Sequence, residues 1–224
     1  MRGQEGRHAT TVRRLAPGDQ AYLTDGAGQV AECVVTAARP GELELSVVGL
    51  TAEPSPRPAL TVVQAIPKGE RGELAVEVLT EVGADVIVPW AAQRCVAVWR
   101  GDRAVRSQSR WQSTAVQAAK QSRRAWFPAV PPQEDLAGVT GRVRAAALAV
   151  VLDPDASMRV AGLELPADGD LVLIVGPEGG ITPAEYEALT GAGAVGARLG
   201  PTILRASTAG VVAAGLVLAR SGRW

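Results

Sequence analysis

Histidine is almost missing from this chain of 224 residues, which carries only His8. Its two cysteines, Cys33 and Cys95, lie far apart with no CxxC pair. That scarcity argues against a zinc site and against a disulfide framework. One histidine and no nucleophile elbow also argue against a Ser-His-Asp triad. Gly176-Pro177-Glu178-Gly179-Gly180 lacks the following Lys-Ser/Thr of a phosphate-binding P-loop. No signal peptide is visible, and no apolar run reaches the roughly 20 residues of a membrane helix. A soluble, cytoplasmic protein without metal or membrane partner is expected. Acidic and basic residues balance at 23 each, so net charge names no partner. Lysine is scarce too: only Lys68 and Lys120 occur, and the other basic residues are arginines. The arginine fork suits phosphate and base contacts, although a GC-rich genome produces the same bias.

What is present supports a folded protein of one large or two modest domains, with 47% hydrophobic residues. Residues 1 to about 58 have an all-β pattern. Gln20–Thr24, Val30–Ala37 and Glu42–Val48 are separated by the turns Asp25–Gly28 and Arg39–Gly41. Leu43, Leu45 and Val47 alternate with Glu42, Glu44 and Ser46, the period of a half-buried strand. Three or four short strands would make a small barrel. Thr51–Pro58, with three prolines, has the composition of a linker.

From Ala59 the pattern becomes α/β. Expected strands are Leu60–Ile66, Val86–Pro89, Ala146–Leu152 and Leu171–Val175. Expected helices begin near Arg71, span about Ser107–Arg124 and end near Arg220, with a loop and short helix over Pro131–Arg142. Such alternation implies a parallel sheet covered on both faces. Two stretches organise this half. Leu171–Gly180 is a wholly apolar strand that stops at a glycine turn, and Thr182-Pro183-Ala184-Glu185 then opens a helix with an N-cap, proline at N1 and a capping-box glutamate. Leu199–Ala209 repeats the logic: a strand ending at Leu199–Gly200, a tight segment, then a helix. Ligands of α/β proteins sit at such carboxyl edges.

Other signals are weaker. Eight basic residues between Arg94 and Arg124 face one acid, Asp102, with Trp99, Trp111 and Trp126 beside them. This could hold phosphates and stack bases, or be a solvated helix face above core tryptophans. Gly191–Gly196 matches GxGxxG but follows a helix and precedes a strand, the reverse of a dinucleotide fingerprint. It is expected to be a helix end and connection.

In combination, Gly176–Gly180, Leu199-Gly200, Ile203-Leu204-Arg205 and Thr208-Ala209 resemble the signature of the RsmE family, 16S ribosomal RNA uridine-N3 methyltransferases of the SPOUT class. Gln64–Gly69, Thr80–Gly83, Val88-Pro89, Arg94-Cys95 and Ala119–Arg124 fall where that family has similar blocks. The resemblance implies an α/β fold: a C-terminal SPOUT trefoil-knotted parallel-sheet domain over residues 59–224, with a small N-terminal PUA-like β-barrel that binds RNA over residues 1–58. Family members commonly carry arginine at the position of Thr202 and glutamate at that of Ser207. They also have about a strand and a turn before the block matched by His8–Asp19. The barrel is therefore expected without its first strand, unless the start codon is misassigned.

The resemblance further implies S-adenosyl-L-methionine as cofactor, 16S ribosomal RNA or the small subunit as partner, and a homodimer. It assigns the cofactor to Leu152, Gly176, Pro177, Glu178, Gly179, Gly180, Leu199, Gly200, Ile203, Leu204, Thr208 and Ala209, with Asp153 and Pro154 nearby. The reaction implied is methylation of uridine N3. Arg205 is the first catalytic candidate, through stabilisation of the developing anion, and Glu178 a weaker one. Candidate RNA contacts are Arg13, Arg14, Lys68, Arg94, Arg110, Arg123 and Arg124. The alternatives are another SPOUT methyltransferase acting on transfer RNA or a ribose 2′-hydroxyl, and an RNA-binding protein without catalysis.

Overall fold

The structure is a computed structural model that describes residues 1–166 and 168–224. The chain divides into two compact units, Met1–Ser55 and Pro56–Trp224.

In the first unit, β1 (Gln20–Thr24), β2 (Gln29–Arg39) and β3 (Glu42–Ala52) form an antiparallel meander in the order β1-β2-β3. The Asp25 carboxylate accepts from the N–H groups of Ala27 and Gln29 and fixes the first turn. Val35, Leu43 and Ala9 are its buried apolar centre. The all-β expectation fails at the start of the chain. A short helix, α1 (Gly3–Arg7), runs into a π-helical turn over His8–Val12. Gly6 allows this, because a Cβ there would collide with the Gly41 carbonyl. The Thr10 hydroxyl then accepts from the Gly41 N–H at 3.1 Å, which ties the turn to the β2–β3 connection. β3 also continues through Ala52, into the stretch expected to be linker, by pairing with Gln29.

The second unit is a five-stranded parallel sheet in the order β5-β4-β7-β6-β8. Its strands are β4 (Leu60–Ala65), β5 (Val86–Trp90), β6 (Leu148–Leu152), β7 (Leu171–Val175) and β8 (Val195–Ala197). Its helices are α2 (Arg71–Val82), α3 (Gly101–Gln121), α4 (Leu136–Ala145), α5 (Pro183–Gly191) and α6 (Ala206–Arg220). Every residue of β7 is buried. Leu171, Leu173 and Val175 join the apolar layer that includes α2, α3 and α6. Val172 and Ile174 join the layer of α4 and α5. A continuous apolar run is what burial on both faces requires.

The helix ends follow from backbone geometry. α2, α5 and α6 each stop in a Schellman motif with a left-handed glycine, Gly83, Gly193 and Gly222. Gly193 belongs to the GxGxxG look-alike, which is a helix end followed by β8, as its context required. α3 closes the same way: Arg123 N–H bonds Lys120 O, and Arg124 N–H bonds Ala119 O. Its left-handed residue, however, is Arg123, at φ 57°. Arg124 explains why that is tolerated. Its guanidinium donates to the carbonyls of Thr80 and Ala84 and pairs with Asp85. α3 thus starts before Ser107 and ends before Arg124. β8 ends at Ala197, short of the expected Leu199–Gly200.

Asp85 is the hub of the sheet's amino edge. It takes Arg124 at 3.3 Å and Arg223 at 2.6 Å, and accepts from the Leu60 N–H at 2.8 Å. Arg223 also donates to the carbonyls of Pro58 and Gly83. Among the described residues, no helix is long and apolar enough to cross a membrane.

Candidate active site

The carboxyl ends of three neighbouring strands, at Leu152, Val175 and Ala197, open onto a cavity of about 630 Å³. Three loops complete it: residues 153–155, 176–181 and 198–205. The glycine turn closes through the Gly180 N–H on Pro177 O at 2.9 Å, with Gly180 at φ 74°. Gly176 cannot carry a side chain, since a Cβ would stand 2.7 Å from Ile181 Cγ1. The turn hands over to α5 through the expected capping box of Thr182 and Glu185. Glu185 is buried, and its second oxygen accepts from the Gln93 N–H at 2.7 Å. Arg94 of that neighbouring loop donates to Gly179 O at 3.0 Å. The glycine turn and the start of α5 are thus both tied to the loop that carries Gln93 and Arg94.

Of the residues assigned to the cofactor, Leu152, Gly176, Pro177, Glu178, Gly180, Leu199, Gly200, Ile203, Leu204 and Ala209 line this cavity. Gly179 and Thr208 do not. Gly179 backs onto Arg94, and the Thr208 hydroxyl folds back onto Arg205 O at 3.2 Å. Arg205 lines the cavity as the N-cap of α6, with its side chain exposed. Ile203 is 84% exposed, an apolar side chain at the rim with nothing packed over it. Glu178 accepts from the Lys68 N–H at 3.3 Å, so its carboxylate links the loop after β4 to the glycine turn.

The structure adds Arg71, Asp155, Ile181, Pro183, Tyr186, Arg198 and Thr202 to the wall. Arg71 opens α2 in the loop after β4, beside β7, so the carboxyl-edge rule could have found it. Tyr186 and Arg198 had no such signal. The Tyr186 hydroxyl has its pKa raised by burial, then by the charge of Asp153 and their hydrogen bond. Arg198 donates to Ala156 O at 2.9 Å and shapes the loop after β6. Burial likewise pushes the Cys95 thiol up, and its sulfur donates to Trp90 O. Among the described residues no group of His, Cys, Asp and Glu side chains converges to hold a metal ion.

Of the candidate RNA contacts, Arg13, Arg14, Lys68, Arg94, Arg110 and Arg123 are exposed. Arg124 is not available. Its side chain is 12% exposed and its guanidinium is spent on Thr80, Ala84 and Asp85, so it is a structural arginine and not an RNA contact. Burial lowers its pKa while Asp85 pulls it back up.

Comparison with known proteins agrees with this geometry. Residues 53–218 match the model of an RNA methyltransferase domain, and residues 2–48 that of an RNA methyltransferase PUA domain. The chain is 48% identical to the ribosomal RNA small subunit methyltransferase E of Mycobacterium bovis, over 99% of this chain and 86% of that protein. It is 30% identical to the Bacillus subtilis protein of the same name, over 92% of this chain and 84% of that one. The crystal structure of the Neisseria gonorrhoeae protein, bound to S-adenosyl methionine, superposes with a TM-score of 0.87 at 26% identity, over 98% of this chain and 90% of that one. A parallel α/β unit with a glycine-turn cavity at its carboxyl edge, preceded by a PUA-type unit, thus places this chain in the ribosomal RNA small subunit methyltransferase E family of RNA methyltransferases.

Proposed function

We propose that this protein transfers a methyl group from S-adenosylmethionine to N3 of a uridine in the 16S RNA of the small ribosomal subunit. The observation that carries the reading is the cavity at the ends of β6, β7 and β8, with Arg205 on its wall. Its volume of about 630 Å³ falls inside the roughly 300–1,000 Å³ of small-molecule sites. Its lining also suits a nucleoside joined to an amino acid. Leu152, Val175, Ile181 and Leu199 offer apolar contact, and the glycine turn offers backbone donors and acceptors. When bound, the cofactor supplies an electrophilic methyl on a sulfonium.

The chain's own residues do the rest. The backbone of 176–180 and 199–204 would hold the cofactor without paired charges. Arg205 would stabilise the uracil as its N3 proton passes to solvent water, the step at which negative charge develops on the base; N3 would then take the methyl as the S–CH3 bond breaks and the sulfur leaves as a neutral thioether. Positioning of the base supplies much of the remaining acceleration. Exposed Arg13, Arg14, Lys68, Arg94, Arg110 and Arg123 would contact RNA phosphates. The homodimer implied by the family resemblance belongs to the same proposal, with α6, which exposes Val212, as its candidate face.

The test is transfer of labelled methyl to small subunits from a strain lacking the enzyme, followed by nucleoside analysis. Label in 3-methyluridine is expected. Label in another nucleoside would keep the cofactor and overturn the substrate. Retention of ribosomal RNA without cofactor binding would point to a non-catalytic protein.

A further inference from the structure

Gly179 is the one glycine of the turn that does not line the cavity, and its backbone is not left-handed. Its missing side chain is explained by Arg94. A Cβ on Gly179 would stand 3.2 Å from Arg94 Cβ and 3.4 Å from Arg94 O, so the arginine lies directly across the bare backbone. From there its Nη1 donates to Gly179 O at 3.0 Å. Arg94 itself starts from a tethered loop. On one flank the Gln93 N–H bonds Glu185, and the Ala91 N–H bonds Glu134 O at 2.9 Å. On the other the Cys95 N–H bonds Ala92 O at 3.0 Å. The second oxygen of Glu185 takes the N–H and hydroxyl of Thr182, which follows the turn. Arg94 thus reaches from the end of β5, past β4, to the turn after β7.

We propose that Arg94 is a positioning residue for the cofactor. It braces the glycine turn on the side away from the cavity, so that Gly176, Pro177, Glu178 and Gly180 keep the conformation in which they line it. The proposal rests on the cofactor reading above. A glycine-rich turn loses much backbone freedom when a ligand fixes it, and a brace already in place lowers that cost of binding. A guanidinium donating to a carbonyl is a charge-assisted bond, stronger than a neutral one. Arg94 is exposed and has five N–H donors, so one on Gly179 O leaves others to face an RNA phosphate. The two roles differ in one measurable respect: bracing acts on cofactor binding with no RNA present.

The experiment is calorimetric titration of the full chain with S-adenosylmethionine, without RNA, for wild type, Arg94→Met and Arg94→Lys. Methionine keeps an unbranched stem and removes the donor, and lysine restores a donor. Arg94→Met should weaken binding about tenfold, the low end for one hydrogen bond to a charged group. The melting temperature without ligand should be unchanged, and Arg94→Lys should recover most of the affinity. In turnover, KM for the cofactor should rise in Arg94→Met while kcat at saturating cofactor and RNA stays within about twofold. The Gly180 amide, which bonds Pro177 O, should exchange faster in ligand-free Arg94→Met, with the amides of β7 unchanged. Wild-type cofactor affinity in Arg94→Met would overturn the brace and leave Arg94 to RNA alone. A lowered melting temperature with faster exchange through β7 would overturn it as well, by showing a general structural role. Absence of binding by wild type would instead remove the cofactor reading, and the brace with it.

Discussion

The two ends of the parallel sheet are finished in opposite ways. At the amino ends of β4 and β5, Asp85 gathers Arg124, Arg223 and the Leu60 N–H, and the two guanidiniums also satisfy the carbonyls of Pro58, Thr80, Gly83 and Ala84. At the carboxyl ends of β6, β7 and β8, glycines and exposed apolar side chains surround an open cavity. One end has its charges paired off against each other, and the other keeps backbone groups and Arg205 available to a ligand. Charge closed internally stabilises a fold, and charge left open is what a site needs.

That contrast can be broken from either end. Asp85→Ala should have the largest effect, costing about 3 kcal/mol of stability, because it strands two largely buried arginines. Chemical denaturation measures it, and cofactor affinity of the folded fraction should not move. Arg205→Ala should do the reverse. Turnover should fall about 10²-fold, the scale for removing one donor to a developing anion, with an unchanged denaturation midpoint. An equal loss of stability and activity in both variants would erase the distinction between the two ends. A smaller effect sharpens the boundary at α3. Arg123→Gly should raise stability by about 1 kcal/mol, since it relieves a left-handed non-glycine residue. It should also flatten the salt dependence of RNA binding by about one phosphate contact. A drop in stability would show that the Arg123 side chain has a structural role.

Much of this was legible in the chain. The apolar run of β7, the glycine turn and the capping box at Thr182 fixed the site's main walls, because each is a local pattern with one dominant solution. The decoy at Gly191–Gly196 was separable by context alone. What could not be read was set by distant partners. Arg124 sits in a basic run indistinguishable from its exposed neighbours until Asp85 is folded against it. Tyr186 is an ordinary helix residue until β8 brings Gly196 beneath it. The helical start of the chain escaped because Gly6 tolerates it only through its approach to Gly41. The threading of a knot is a property of chain path, and only the resemblance supplied it.

Amide hydrogen exchange with and without S-adenosylmethionine tests the central claim most directly. New protection should be confined to residues 152–155, 176–181 and 198–209, with the Asp85 end unchanged. Protection that appears at the Asp85 end, or that spares the glycine turn, would contradict the assignment of the open edge as the cofactor site.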